Sequence, residues 1–167
     1  TRSKNRLETA SLIFFYCGND KKSQTNDVSK EYQDYGEVVA ASYYAMFYVF
    51  HAYLAKEYGK KLKDDVYQIH AKTNQLVLYY LVKTKNLATQ LYEEYQRTMT
   101  TAKSQKTIED FQDDAFYSAQ KYNKSKEDRE TSTYNVETST DERRAKEALK
   151  TAQEFIAIIR QLMTKDK

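Results

Sequence analysis

Few side chains in this sequence are spaced for chemistry. His51 and His70 are the only histidines. They lack the close helical spacing of a metal pair, and neither follows a glutamate in the E-x-x-H arrangement of di-iron bundles. No metal site and no cofactor is therefore expected. Glu109, Asp110, Asp113 and Asp114 form an acidic cluster that would attract Mg²⁺ weakly and reads first as solvated helix surface. Lys121, Lys124 and Lys126 lead up to Arg129, whose planar guanidinium fork suits phosphate oxygens. Asp114, Glu127 and Asp128 dilute that basic run. The chain has 16 tyrosines, whose faces can stack on bases. Most of them, including Tyr43, Tyr44, Tyr79 and Tyr80, read first as helix-packing residues with a wet hydroxyl. Cys17 stands alone, forms no internal disulfide and reads as a small buried hydrophobe.

These groups need elements to hold them, and the spacing predicts helices. Leu7, Ala10, Leu12, Ile13, Phe14 and Tyr16 give Arg2–Cys17 a broad apolar face, with Gly18 as its stop. Val38, Val39, Ala45, Met46, Val49, Phe50, Tyr53 and Leu54 recur at three- and four-residue intervals and mark the strongest helix. Ala41 and Ala45 let another helix come close. Gly59 ends this helix, and Lys60, Lys61 and Lys63 beyond it suit the negative helix terminus. A third helix is expected over Asp65–Val82 with Ile69, Leu76, Leu78 and Leu81 inward, and another over about Leu87–Thr101. A long polar helix is expected from Thr107 to about Arg129, with Phe111, Ala115, Phe116 and Ala119 as its apolar face. The last helix has a capping box at Ser139 and Glu142 and a stripe of Ala145, Ala148, Leu149, Ala152, Phe155, Ile156, Ile159 and Leu162.

The bulk composition agrees. The chain of 167 residues suits one domain, with no proline and 3 glycines. Proline breaks helices and hairpin turns favour glycine or proline, so this composition argues for helices over sheet. The fold expected is all-α, an antiparallel bundle of five or six helices over residues 1–167. Charged residues at 31%, with 14% aromatic, mark a globular chain rather than a disordered one. The apolar runs are expected to stay short of the roughly 18 residues that a membrane span needs, Leu12–Cys17 being the longest. The N-terminus is polar and lacks a secretory pattern, so a cytoplasmic protein without membrane contact is expected. A net charge of +3 is a weak argument for nucleic acid.

Three segments, read in order, resemble the HEPN family. Ala41-Ser42-Tyr43-Tyr44-Ala45-Met46-Phe47 is similar to the recurring A-x-Y-Y-A-M-F segment. Arg129-Glu130-Thr131-Ser132-Thr133-Tyr134 lies where the family carries an Arg followed four to six residues later by His. The stretch from Ala145 to Ile159 is similar to the family's closing helix. His70 sits where relatives often carry a His at the start of the third helix. The resemblance spans Arg6 to Leu162. It implies a helical bundle that forms a homodimer, with two Arg motifs facing one cleft. Many members are metal-independent ribonucleases. Others are non-catalytic and pair with a small nucleotidyltransferase, frequently as a toxin–antitoxin couple.

On this resemblance Arg129 would hold phosphate charge, Glu130 fits the polar position after it, and Tyr134 replaces the family's His. Lys121, Lys124 and Tyr44 would add contacts to RNA or nucleotide. A free tyrosine has a pKa of about 10 against about 6.5 for histidine. At pH 7 roughly one tyrosine in a thousand is ionised, a deficit of about 4 kcal/mol for a general base. Tyr134 still donates a hydrogen bond or stacks on a base. Arg129 and Tyr134, five residues apart, point about 140° away from each other on a continuous helix, so a shared ligand requires a helix end between them or a dimer cleft. Three functions stand open: a nucleotide- or RNA-binding module acting with a nucleotidyltransferase, a metal-independent endoribonuclease toxin using Arg129, and a bundle for protein contact alone.

Overall fold

A computed structural model describes residues 1–17, 33–62, 68–104 and 141–164. The architecture is an all-α bundle of five helices, with no strand among the described residues. The helices are α1 (Arg2–Cys17), α2 (Tyr35–Tyr58), α3 (Ile69–Val77, continued by a π-helical turn over Leu78–Val82), α4 (Thr89–Ser104) and α5 (Glu142–Thr164). The expected polar helix from Thr107 to Arg129, with Phe111, Ala115, Phe116 and Ala119, lies outside the described residues.

Helix α2 is the centre of the molecule and packs against α1, α4 and α5. All eight residues of its expected apolar repeat are buried, from Val38 to Leu54. Burial of each such large side chain is worth about 1.5–3 kcal/mol. The helix is longer and more uniformly apolar than Leu12–Cys17, which corrects the reading of short apolar runs. Tyr35–Tyr58 is long and apolar enough to cross a membrane, and 72% of its most apolar window is buried within the bundle. Its start is capped by Asp34, whose carboxylate accepts from the Glu37 N–H at 3.0 Å. Its end is Gly59, in the left-handed region at φ 63°, with the N–H groups of Gly59 and Lys60 both donating to the Leu54 carbonyl.

Helices α1 and α2 run antiparallel. Arg2 lies over Tyr48 and Arg6 over Tyr44, while at the far end the Asp34 N–H donates to Cys17 Sγ at 3.1 Å. Small residues permit the approach: Ala10, Ala41 and Ala45 have no exposed surface. The Ser3 hydroxyl donates to the Ala45 carbonyl at 2.9 Å, which satisfies a polar group inside the contact. Helix α5 runs alongside α2 in the same sense, with Lys56 donating to the Met163 carbonyl at one end and Glu142 acting on Tyr35 at the other. Its stripe of Ala145, Ala148, Ala152, Phe155, Ile156 and Ile159 is buried, and Leu149 and Leu162 pack at the edge. The cap of α5 is Asp141, which accepts from the Arg144 N–H at 2.8 Å. The expected cap, Ser139, lies outside the described residues.

Helix α3 departs from the expectation. Residues 63–67 lie outside the described residues, and the helix is described from Ile69. Leu81 is buried, but Ile69 and Leu76 are only partly buried and Leu78 is exposed. The residues turned inward are His70, Ala71, Thr73, Asn74, Val77, Tyr80 and Leu81. Positions 70, 74, 77 and 81 make one helical stripe, and positions 72, 76, 79 and 83 make the opposite one. The buried side carries Ala71, Val77, Tyr80 and Leu81 as its apolar contacts, and His70 and Thr73 on the same side bond to Tyr43 and His51. The outward stripe sets Leu76 and Tyr79 between two lysines.

Candidate functional site

The Ala41–Phe47 segment places a group of aromatic and histidine rings between α1, α2 and α3. Tyr43 points into the core, and its hydroxyl meets His70 Nδ1 at 2.8 Å. His70 is itself buried. Phe47, one turn along α2 from Tyr43, lies between the two imidazoles, with ring centres 4.2 Å from His51 and 4.9 Å from His70.

His51 is fixed by α3. Its Nε2 lies 2.9 Å from Thr73 Oγ1, and Thr73 Oγ1 lies 2.7 Å from the Ile69 carbonyl. The hydroxyl has one proton, and a carbonyl can only accept, so Thr73 donates to Ile69. It must then accept from His51, which puts a proton on Nε2 and leaves Nδ1 as the acceptor of the neutral ring. A threonine on α3 thus sets the tautomer of a histidine on α2.

Tyr44 follows Tyr43 and turns the other way, toward α1. It is half-buried. The Arg6 guanidinium lies 5.5 Å above its ring and Arg2 lies 5.9 Å above that of Tyr48. The two tyrosine rings are nearly parallel, at 22°, with centres 5.9 Å apart. The result is a ladder of two arginines over two tyrosines along the α1–α2 seam. Arg6 also approaches Glu37 at 3.9 Å. Burial pushes the Glu37 carboxyl above its ordinary range, Arg6 draws it back down, and Asp34 adds to the rise. The Arg6 side chain keeps 44% of its surface exposed, so its charge remains available to an anion.

Of the residues singled out by sequence, Tyr44 and His70 are brought to one cluster, together with His51. Arg129, Glu130, Tyr134, Lys121 and Lys124 lie outside the described residues, as do Glu109, Asp110, Asp113, Asp114 and Lys126. Tyr80 is buried and receives the Lys60 ammonium, whereas Tyr79 stands 59% exposed and is not a packing residue. Cys17 is buried, as its reading as a small hydrophobe requires. Among the described residues no group of three or more His, Cys, Asp or Glu side chains is placed to hold a metal ion.

Sequence reasoning missed the arginine ladder. A signal was present: Arg2 and Arg6 are four apart on α1, and Tyr44 and Tyr48 are four apart on α2. Matched spacing on two antiparallel helices predicts such a ladder once their pairing is known. The bond from His51 to Thr73 joins two helices and has no local signature.

Chemically, the seam offers guanidinium charge and aromatic faces side by side, the pair of groups that single-stranded nucleic acids and nucleotides use for phosphate and base. Comparison with known proteins found no match to this chain among protein families, curated proteins or solved structures.

Proposed function

We propose that this chain is a HEPN-like module that binds RNA or a nucleotide. The observation that carries the reading is the ladder of Arg6 over Tyr44 and Arg2 over Tyr48, which grows out of the segment that resembles the family. Arginine charge beside half-buried tyrosine rings suits a ligand with a phosphate and a base. The resemblance adds Arg129, Lys121 and Lys124 as further phosphate contacts. It also adds a homodimer as the working form and a small nucleotidyltransferase as partner, in a toxin–antitoxin type of system in the cytoplasm.

The test is fluorescence anisotropy with a fluorescein-labelled single-stranded RNA at low salt, with ATP and GTP as competitors. Binding is expected to weaken about tenfold in Tyr44→Ala and in Arg129→Ala, the scale of one lost stacking or charged contact. Absence of binding by RNA and both nucleotides at low salt would sink the reading and leave a bundle for protein contact. The resemblance at Arg129 supports a second reading, metal-independent RNA cleavage, and Tyr134 in place of the family's His weighs against it. RNA degradation in EDTA that Arg129→Ala abolishes selects that reading over simple binding.

A further inference from the structure

The outward face of α3 carries exposed apolar side chains between two lysines. Lys72, Leu76, Tyr79 and Lys83 fall at positions i, i+4, i+7 and i+11, one stripe of the helix. With Leu62 and Leu78 they line a groove of about 530 Å³. Tyr79 is 59% exposed and Leu78 36% exposed, so the apolar floor is open to water. Such a floor is uncommon for a surface helix, where polar residues face out.

The rim decides what the groove takes. Lys72 and Lys83 stand at its two ends, and the Lys83 ammonium lies 5.8 Å from the Tyr79 ring centre. Neither lysine is in an ion pair with a carboxylate among the described residues. No aspartate or glutamate occurs from residue 66 to residue 92. Lys60 and Lys61 are exposed just before Leu62 and extend the same sign of charge. Asp64 and Asp65, just past Leu62, lie outside the described residues. An apolar floor between Lys72 and Lys83 complements an apolar ridge with acidic ends. Its concavity suits inserted side chains better than a flat lipid surface, which would ask for a convex apolar face.

We infer that the α3 groove is a docking site for an acidic amphipathic helix of a partner protein, whose apolar residues seat on Leu62, Leu76, Leu78 and Tyr79 and whose carboxylates pair with Lys72 and Lys83. The site lies apart from the arginine ladder and does not rest on the RNA-binding reading.

The probe is a fluorescein-labelled synthetic helical peptide with leucines at i, i+4 and i+7 and glutamates on both flanks, beside the same peptide with lysines in place of the glutamates. Full-length protein is expected to bind the acidic peptide and not the basic one. The double variant Lys72→Glu/Lys83→Glu should weaken the acidic peptide at least about tenfold and reverse the preference, as charge complementarity demands. Tyr79→Ser should weaken it by a similar factor at unchanged melting temperature, because Tyr79 is exposed and contributes little to the core. Equal binding of both peptides, or binding that survives these substitutions, overturns the inference. So does a dimer in light scattering that Tyr79→Ser dissociates, which would make a second copy the occupant. Cosedimentation with phosphatidylserine vesicles that Lys72→Glu/Lys83→Glu abolishes, without peptide binding, would assign the face to lipid instead.

Discussion

Thr73 shows how much one hydroxyl decides. Its hydroxyl accepts a hydrogen bond from His51 Nε2–H and donates one to the Ile69 carbonyl, so α2 and α3 share a bond that fixes an imidazole. Thr73→Val keeps the shape and removes both roles. It is expected to destabilise the fold by about 1 kcal/mol, the net worth of a hydrogen bond to a half-buried donor. Thr73→Ser should recover most of that loss. Urea denaturation of the two variants checks the point, and equal midpoints for Val and Ser would contradict it. Little of this was legible beforehand. Tyr44 is a ligand contact on the sequence segment, whereas Arg2 and Arg6 join it only once α1 and α2 pair antiparallel, and their four-residue spacing does not itself give that pairing. The residues that the family resemblance brings forward most strongly, Arg129 and Tyr134, lie in a stretch where apolar periodicity is weakest.

At the scale of elements, helices were readable where apolar spacing and stop residues agreed. Helix α1 covers Arg2–Cys17, with its expected stop, Gly18, outside the described residues, and α2 ends at Gly59 as expected. The reason is physical: Gly59 adopts φ 63°, which a side chain resists, and the two amides around it close on Leu54. A Cβ at Gly59 would meet nothing within 4 Å, so its cost is conformational rather than steric with neighbours. Gly59→Ala is therefore expected to lose about 1 kcal/mol, read as a lower midpoint in urea with an unchanged slope. A larger loss would mean that the turn into Lys60 and Lys61 also shifts. Helix α3 departs from its expected inward set for an equally physical reason. Leu76 and Leu78, two residues apart, lie on nearly opposite sides of a helix and cannot both face inward, whereas Val77, Tyr80 and Leu81 share the buried side. The π-helical turn over Leu78–Val82, where the Lys83 N–H reaches back to the Leu78 carbonyl at 3.0 Å, adds a local break that periodicity does not carry.

The molecule as a whole is held by tyrosines as much as by aliphatic residues. Tyr43 and Tyr95 are among its largest fully buried side chains, and Tyr95 stacks on Phe155 of α5 with ring centres 5.4 Å apart. Burial pushes the phenols of Tyr53, Tyr92 and Tyr95 above their ordinary value. In the unfolded chain these groups lose their protons near pH 10. The folded chain holds them longer, so above that pH the native state binds more protons than the unfolded one. Stability is then intact below about pH 10 and falls as pH rises further. Urea midpoints measured from pH 8 to pH 11 should drop across the upper end of that range, and Tyr95→Phe should blunt the drop. A flat profile would mean that the buried phenols ionise as freely as exposed ones.

The buried side of α3 carries a consequence for how the helix is set on its axis. Val77, Tyr80 and Leu81 hold it against the bundle, and apolar contact is tolerant of small rotations. The bonds from His70 to Tyr43 and from Thr73 to His51 are not, because each has a direction and a length. Oil supplies the grip and the polar bonds supply the angle, so a substitution that spares every apolar contact can still let the helix turn.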